Sequence, residues 1–282
     1  MHLPARLGAL ACIVAFAAAG LIAQSTASPA SAIVSIKPSD TATRVRSDAS
    51  STDRFDWLDV TLAMLVRDAY DLFEFQVIGG PDWMNSKRWD VSATAAVLAS
   101  DEARQLVRRL VEDRFALKAH IENRQMAIYR LVLGSSDGTL GPKIKPATVD
   151  CTPFLTGQRP MQESPRDPAH RFGVCSVGGS FTPSGLLTPR LNGRPLTGLV
   201  QLLEETVDRR VIDRTGLKGN YDIELSYLDK TLADKSSASA AASPQGPSLF
   251  TALQEQLGMK LESARGLVDV LVIDSASEPT TN

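Results

Sequence analysis

Apolar residues recur along the chain at two spacings. Between Thr61 and Tyr70, Leu62, Leu65, Val66 and Ala69 fall on one stripe of a 3.6-residue helix, and Leu196 to Glu205 repeats the stripe with Leu196, Leu199, Val200 and Leu203. The separation is 134 positions, and it also carries Val77-Ile78 onto Val211-Ile212. At 132 positions, Arg88-Trp89-Asp90-Val91 falls on Asn220-Tyr221-Asp222-Ile223, each opening an alternating run of strand type. At 142 positions, a second helical stripe of Val107, Leu110, Val111 and Phe115 falls on Leu249, Ala252, Leu253 and Leu257. The same offset maps Leu117 and Ala119 onto Met259 and Leu261, and Ile128–Leu131 onto Val270–Ile273. Three constant offsets over this length predict an internal duplication.

Each copy then reads helix, strand, strand, helix, strand, strand, preceded by an extended lead-in. That lead-in falls at Ile33–Pro38 or Phe55 in the first copy and at Ser180–Leu187 in the second. Short strands beside amphipathic helices predict an α+β fold of two related modules, each a sheet with helices packed on one face. The modules span 33–133 and 180–274. The connector 134–179 is rich in Pro and Gly and leaves little room for regular structure. Residues 230–247 are of low complexity and predict a flexible loop, after which Ser248 suits a helix N-cap and Gly258 a helix end. The polar tail 275–282 predicts a loose end.

Composition adds a compartment. Residues 1–32 carry one charge, Arg6, then an apolar run from Leu7 to Ala23 and the small-residue pattern Ala30-Ser31-Ala32, which read as a secretory signal. The expectation is an exported chain, periplasmic or extracellular, with no membrane span after signal cleavage. Cys151 and Cys175 then remain as a pair where disulfides persist. Closing a loop of that size stabilises by roughly 3 kcal/mol in the chain-entropy view. At 43% apolar the chain is not a disordered one, and 30 basic against 32 acidic residues supply no surplus for a nucleic-acid backbone.

Motifs for chemistry are sparse. Gly134-Ser135-Ser136-Asp137-Gly138 has the G-x-S-x-G form, with Asp150 or Asp167 and His170 downstream, but no helical pattern follows the serine as a nucleophile elbow requires. His120 ends a strand-like run and His170 stands alone, so no spacing for a metal is present and no cofactor is expected. Gly216-Leu217-Lys218-Gly219 lies between strands and feeds no helix N-terminus. Two turns occupy equivalent places in the copies: one holds Gly80, Pro81, Asp82 and Trp83, the other Asp213, Arg214, Thr215 and Lys218. Tight reversal explains them; as candidate recognition turns they would offer Trp83 as an aromatic anchor.

The segments Val34–Ser39, Gly79–Trp83, Val211–Asp222 and Leu249–Gly258 resemble the hallmarks of a soil-associated bacterial family of secreted proteins of unknown function with many paralogues per genome. The likeness covers nearly all of the exported chain and implies no catalytic residue. The usual lead-in, Phe-Glu-Val-Ala, is replaced here by Ser31-Ala32-Ile33. Some relatives carry such domains behind membrane metallopeptidases of the antibiotic-sensor type, which implies envelope sensing. Within each copy, Pro195–Val200, Val211–Asp213 and Leu249–Leu261 are similar to the short N-terminal domain of secretins and TonB-dependent transporters, a periplasmic interaction module. The expected function is therefore a secreted, non-catalytic binding or protein-interaction module whose partner is a protein or small ligand of the cell envelope. A secreted hydrolase with a site assembled in space and a structural assembly subunit are the alternatives.

Overall fold

A computed structural model of the chain describes residues 33–39, 54–94, 100–159, 174–182, 184–229 and 246–279. The signal segment, most of the 230–247 loop and His170 lie outside the described residues.

The helices form where the stripes predict them. Leu62–Tyr70 (α1) buries Leu62, Leu65, Val66 and Ala69; the hydroxyl of Thr61 accepts the Met64 N–H at 3.2 Å, and Asp71 ends the helix in the left-handed region. Ser100–Arg114 (α2) packs Val107, Leu110 and Val111 against it. After a single turn at Thr152–Leu155 (α3), Leu196–Val207 (α4) buries Leu196, Leu199 and Leu203. Leu249–Ala252 (α5) continues as a π-helical turn, Leu253–Leu257. Ser248 caps α5 through the Thr251 N–H, and Gly258 closes the turn at φ 68°.

The strands make three sheets. In the first, Ile33–Pro38 (β1) and Arg54–Thr61 (β2) flank Arg88–Thr94 (β4), all antiparallel. In another, Asn220–Glu224 (β10) lies between Ile144–Pro146 (β6) and Leu186–Pro195 (β8). Val177–Phe181 (β7) and Tyr227–Leu228 (β11) also pair with β8. Both lead-in stretches of the first half are therefore strands, and the connector supplies β6, α3 and the start of β7. The third sheet is built on Lys118–Leu133 (β5) and Met259–Ser275 (β12), antiparallel along their whole length. Val77–Gly79 (β3) runs parallel to one end of β12 and Val211–Asp213 (β9) parallel to one end of β5.

The third sheet differs from the sequence expectation, which placed two strands after the second helix of each half. Polar residues between the apolar ends of β5 mark an uncovered stretch of one strand. From Ile121 to Ala127 no Gly or Pro offers a turn. One face of this ribbon carries both main cores. Leu117, Ala119, Leu271 and Ile273 pack under α1 and α2 at one end. Leu131, Leu133, Met259 and Leu261 pack under α4 and α5 at the other. The tail expected to be loose is tied as far as Ser277, whose N–H donates to Phe115 C=O at 2.7 Å.

Registers recur between the halves. Val77 pairs with Leu271 and Val211 with Tyr129. Positions 77 and 211 stand 134 apart, and 129 and 271 stand 142 apart, the offsets of the apolar pattern. Ile36-Lys37-Pro38 lies opposite Val91, Asp90 and Trp89; Ile144-Lys145-Pro146 lies opposite Ile223, Asp222 and Tyr221. A bulge interrupts β2 between Trp57 and Val60 and β8 between Leu191 and Arg194. In each bulge a left-handed residue, Asp59 or Gly193, donates its N–H to an aspartate of the neighbouring strand: Asp90 at 3.1 Å, Asp222 at 2.9 Å.

Candidate functional site

The two candidate recognition turns follow β3 and β9, so they sit at opposite ends of the ribbon, beside Ile273 and Leu131. About twelve residues of strand, roughly 40 Å, separate them; they do not converge. In the first, Gly79 and Gly80 take positive φ and Gly80 and Asp82 are exposed, with Pro81 between them half-buried. Trp83 turns inward, half-buried, with its ring 6.5 Å from that of Phe115. In the second, the Asp213 carboxylate accepts both the N–H and the hydroxyl of Thr215, each at 2.8 Å, and Thr215 is buried. The Lys218 carbonyl accepts the Tyr221 hydroxyl. Most of the polar capacity of these turns is spent on the chain itself. Asp82, Arg214 and Lys218 keep exposed side chains.

Cys151 and Cys175 are bridged, with Cα atoms 5.5 Å apart, and with Phe154 form a small core of the connector. Ser136, the serine of the G-x-S-x-G stretch, stands in a polar turn with its neighbour Ser135. Asp137 accepts the Ser135 hydroxyl at 2.6 Å and the Thr139 N–H at 2.9 Å, which hold its carboxyl down at about 2. No helix follows; the chain runs on to β6. His120 is exposed between Asp274 at 3.0 Å and Glu122 at 3.1 Å, and these bonds, Asp274's first, raise its pKa.

Among the described residues, ion pairs line two of the cavities. One of 270 Å³ lies on the outer face of the β6–β10–β8 sheet, where Glu224 accepts from Lys143 and from Arg190, each at 2.7 Å. Those cations hold the Glu224 carboxyl below its ordinary range. The other, of 300 Å³, lies beside α1 and is lined by Thr61, Met64, Glu74, Gly79 and Arg88, with Arg67 paired to Glu74 at 3.0 Å. Neither presents a nucleophile beside a base. Among the described residues no cluster of three metal-ligating side chains occurs, and no described helix is long and apolar enough to cross a membrane.

The surface that stands out was missed by motif reading. Between the two cores one face of the ribbon is bare of other described elements, and Ile121 and Leu267 are 70% and 65% exposed on this face, which is buried at both ends; the opposite face carries the cluster around Ile128, Val268 and Val270. Asn123 with Asp269, and Gln125 opposite Leu267, complete the floor. The signal was in the alternation: Leu117, Ala119 and Ile121 continue one apolar face that turns polar at Asn123 and Gln125 and resumes at Tyr129 and Leu131.

The model of one family, described as a protein of unknown function (DUF3738), matches residues 63–276. The chain belongs to that family. The match runs from α1 of this DUF3738 protein to the end of β12, and so takes in the helices of both cores and the bare ribbon between them, while β1 and β2 precede it. No curated protein and no solved structure matches it.

Proposed function

We propose that this DUF3738 protein is an exported, non-catalytic interaction protein of the cell envelope or its surroundings, built from two copies of one α+β unit. The observation that carries the reading is the bare ribbon. A monomer has no packing reason to leave Ile121 and Leu267 exposed on a face whose two ends are core, and exposed apolar surface framed by polar groups marks interaction sites. The recurring registers and the paired bulge caps support the duplication, and the disulfide supports an oxidising compartment. The resemblance to soil-associated secreted proteins and to the short domain of secretins and TonB-dependent transporters points the same way.

The test compares the wild-type protein with an Ile121→Lys/Leu267→Lys variant, both immobilised and exposed to envelope extract. Both substitutions are on exposed side chains, so the melting temperature should stay within about 2 °C. The expected result is a discrete set of retained partners that the lysine pair removes. Identical retention by both proteins refutes the reading. A sedimentation profile that shifts to larger species with concentration, and loses them in the lysine variant, transfers it to an assembly subunit.

A further inference from the structure

We infer that the free edge of β12 at Ser263–Leu267 takes up an extended segment of another protein as an added strand, and that this segment carries a carboxylate next to an aliphatic residue on one face. The inference rests on the interaction reading and names its site and chemistry.

Antiparallel strands turn the backbone groups of alternate residues toward opposite neighbours. On β12 the Asp269 carbonyl accepts the side-chain amide of Gln76 at 3.1 Å, on the side away from β5. On β5, Tyr129 N–H donates outward to Arg210 C=O, and Leu131 C=O accepts from Arg214. Odd-numbered residues of both strands therefore face outward. β3 covers Leu271–Ile273, Gln76 covers Asp269 and β9 covers Tyr129–Leu131. The outward backbone groups of Ser263, Arg265 and Leu267 on β12, and of Ile121, Asn123, Gln125 and Ala127 on β5, have no hydrogen-bond partner among the described residues. Among the described residues the middle of the sheet is a two-stranded ribbon with two open edges.

The edges differ in guarding. Along β5 stand His120, Glu122 and Arg124, joined by bonds of 3.1 and 2.7 Å, and an incoming strand must strip water from this cluster. Along β12 stand Ala264 and Val268, in an apolar cluster with Phe75 and Ile78 that also takes in Met126 and Ile128 of β5 on one face, while Leu267 is exposed on the other. Position 209, which is 134 beyond Phe75, is an arginine. On β12 the Lys260–Glu262 pair, at 2.9 Å, ends just before this segment, and Arg265 is the one charged side chain within Ser263–Leu267, so this stretch of edge is the less guarded one.

The occupant is a single extended chain. Five residues of edge extend about 17 Å, and a contact of that length falls well below the roughly 1,200 Å² a stable interface between folded proteins needs. The helical layers of both cores also rise from the ribbon on either side of the gap, which admits a strand more readily than a globule. Charge selects within that class. Arg265 is exposed with no carboxylate partner among the described residues, two positions from Leu267 and on the same face. An acidic side chain beside an aliphatic one on the added strand complements that pair.

The probe is the capped peptide acetyl-Thr-Val-Glu-Val-Leu-Val-Thr-amide, added to the intact protein and followed by amide hydrogen exchange. Three controls accompany it: the peptide N-methylated at alternate residues, the peptide with lysine for glutamate, and the Arg265→Pro protein. Proline at 265 removes an outward N–H and no ladder bond. The expected result is at least tenfold slower exchange at the Arg265 and Leu267 amides, none at Asn123 and Gln125. N-methylation and Arg265→Pro abolish this protection, and the lysine peptide binds at least tenfold more weakly. Should Arg265→Pro unfold the chain, Arg265→Glu replaces it and must reverse the preference between the two peptides. Absence of protection at Arg265 and Leu267, protection along β5 instead, or equal binding of the N-methylated peptide overturns the inference. If the lysine pair Ile121→Lys/Leu267→Lys still strips partners in that case, the interaction reading survives its loss. If the peptide protects β12 while the lysine pair changes no partner, the edge stands without that reading.

Discussion

Gly193→Ala tests how the β8 bulge bears on the disulfide-linked connector. Gly193 sits in the β8 bulge at φ 62°, and its N–H is held by Asp222. A methyl there would run into the Sγ of Cys151 and lie 2.9 Å from the Val174 carbonyl, both parts of the disulfide-linked connector. The left-handed conformation alone costs an alanine about 1–2 kcal/mol, and overpacking a buried group costs a further 1–3 kcal/mol. A loss of about 3 kcal/mol lowers the melting temperature of a chain this size by about 6–12 °C. The collision term depends on the sulfur, so the same substitution is made in a Cys151→Ala/Cys175→Ala background. Removing the bridge costs about 3.5 kcal/mol by the loop-closure relation for a 25-residue loop. In that background the collision with sulfur is gone while the approach to the Val174 carbonyl remains, so Gly193→Ala should cost less than in the bridged protein but no less than the conformational cost of about 1–2 kcal/mol. Urea melts of the four proteins give the coupling directly. Equal penalties with and without the bridge would show that the bulge does not bear on the disulfide, and the account of why glycine stands here would fail.

Three further outcomes follow from the geometry. Trp83→Ala should lower stability by about 2 kcal/mol, because the half-buried ring packs on Phe115; an unchanged melt with lost partner binding would make the turn a recognition element after all. The imidazole of His120 should titrate above its ordinary 6.5 in NMR, with Asp274→Asn lowering the midpoint further than Glu122→Gln. With a raised folded pKa, its contribution to stability is present below 6.5 and fades as pH climbs through the folded value; a midpoint at or below 6.5 refutes the bonding. Glu204 is 1% exposed, and burial pushes its carboxyl up against the opposing pull of the Val211 N–H and Arg210, both at 2.9 Å. The folded state therefore holds that proton more tightly than the unfolded chain, so stability falls as pH rises from about 4.5 through the folded pKa. Subtracting Glu204→Gln melts from wild-type melts between pH 4 and 8 should show that fall, and a flat difference would count against it.

The helices and short strands were legible because each is specified locally. The stripe of Leu62, Leu65, Val66 and Ala69 and the caps Thr61, Ser248 and Gly258 need no knowledge of distant chain. The long strands were not. Read in one dimension, Asn123 and Gln125 break an apolar alternation; in three, they mark where the helical layers of both cores stop. The second lead-in was read at Ser180–Leu187, yet Ile144-Lys145-Pro146 repeats Ile36-Lys37-Pro38 residue for residue and pairs in the same register. That triplet was available to inspection, at a spacing of 108, and was hidden because the disulfide-linked insertion changes the offset before β8.

The pairing of β5 with β12 also bears on why the bare ribbon persists. Each core takes strand residues from both halves: Leu271 and Ile273 complete the core under α1 and α2, while Leu131 and Leu133 complete the one under α4 and α5. Neither half can then bury its apolar stripes alone, and β5 and β12 must cross the interval between the cores as an unbroken ladder. A two-stranded ribbon is at best marginally stable in water; here it is held at both ends by cores that α-helices cover. The opposite face of the crossing is itself buried, around Ile128, Val268 and Val270, whereas the side chains of the bare face take no part in either core. On the proposed reading the exposed residues there, Leu267, Arg265 and Ile121, answer to what the ribbon meets in solution.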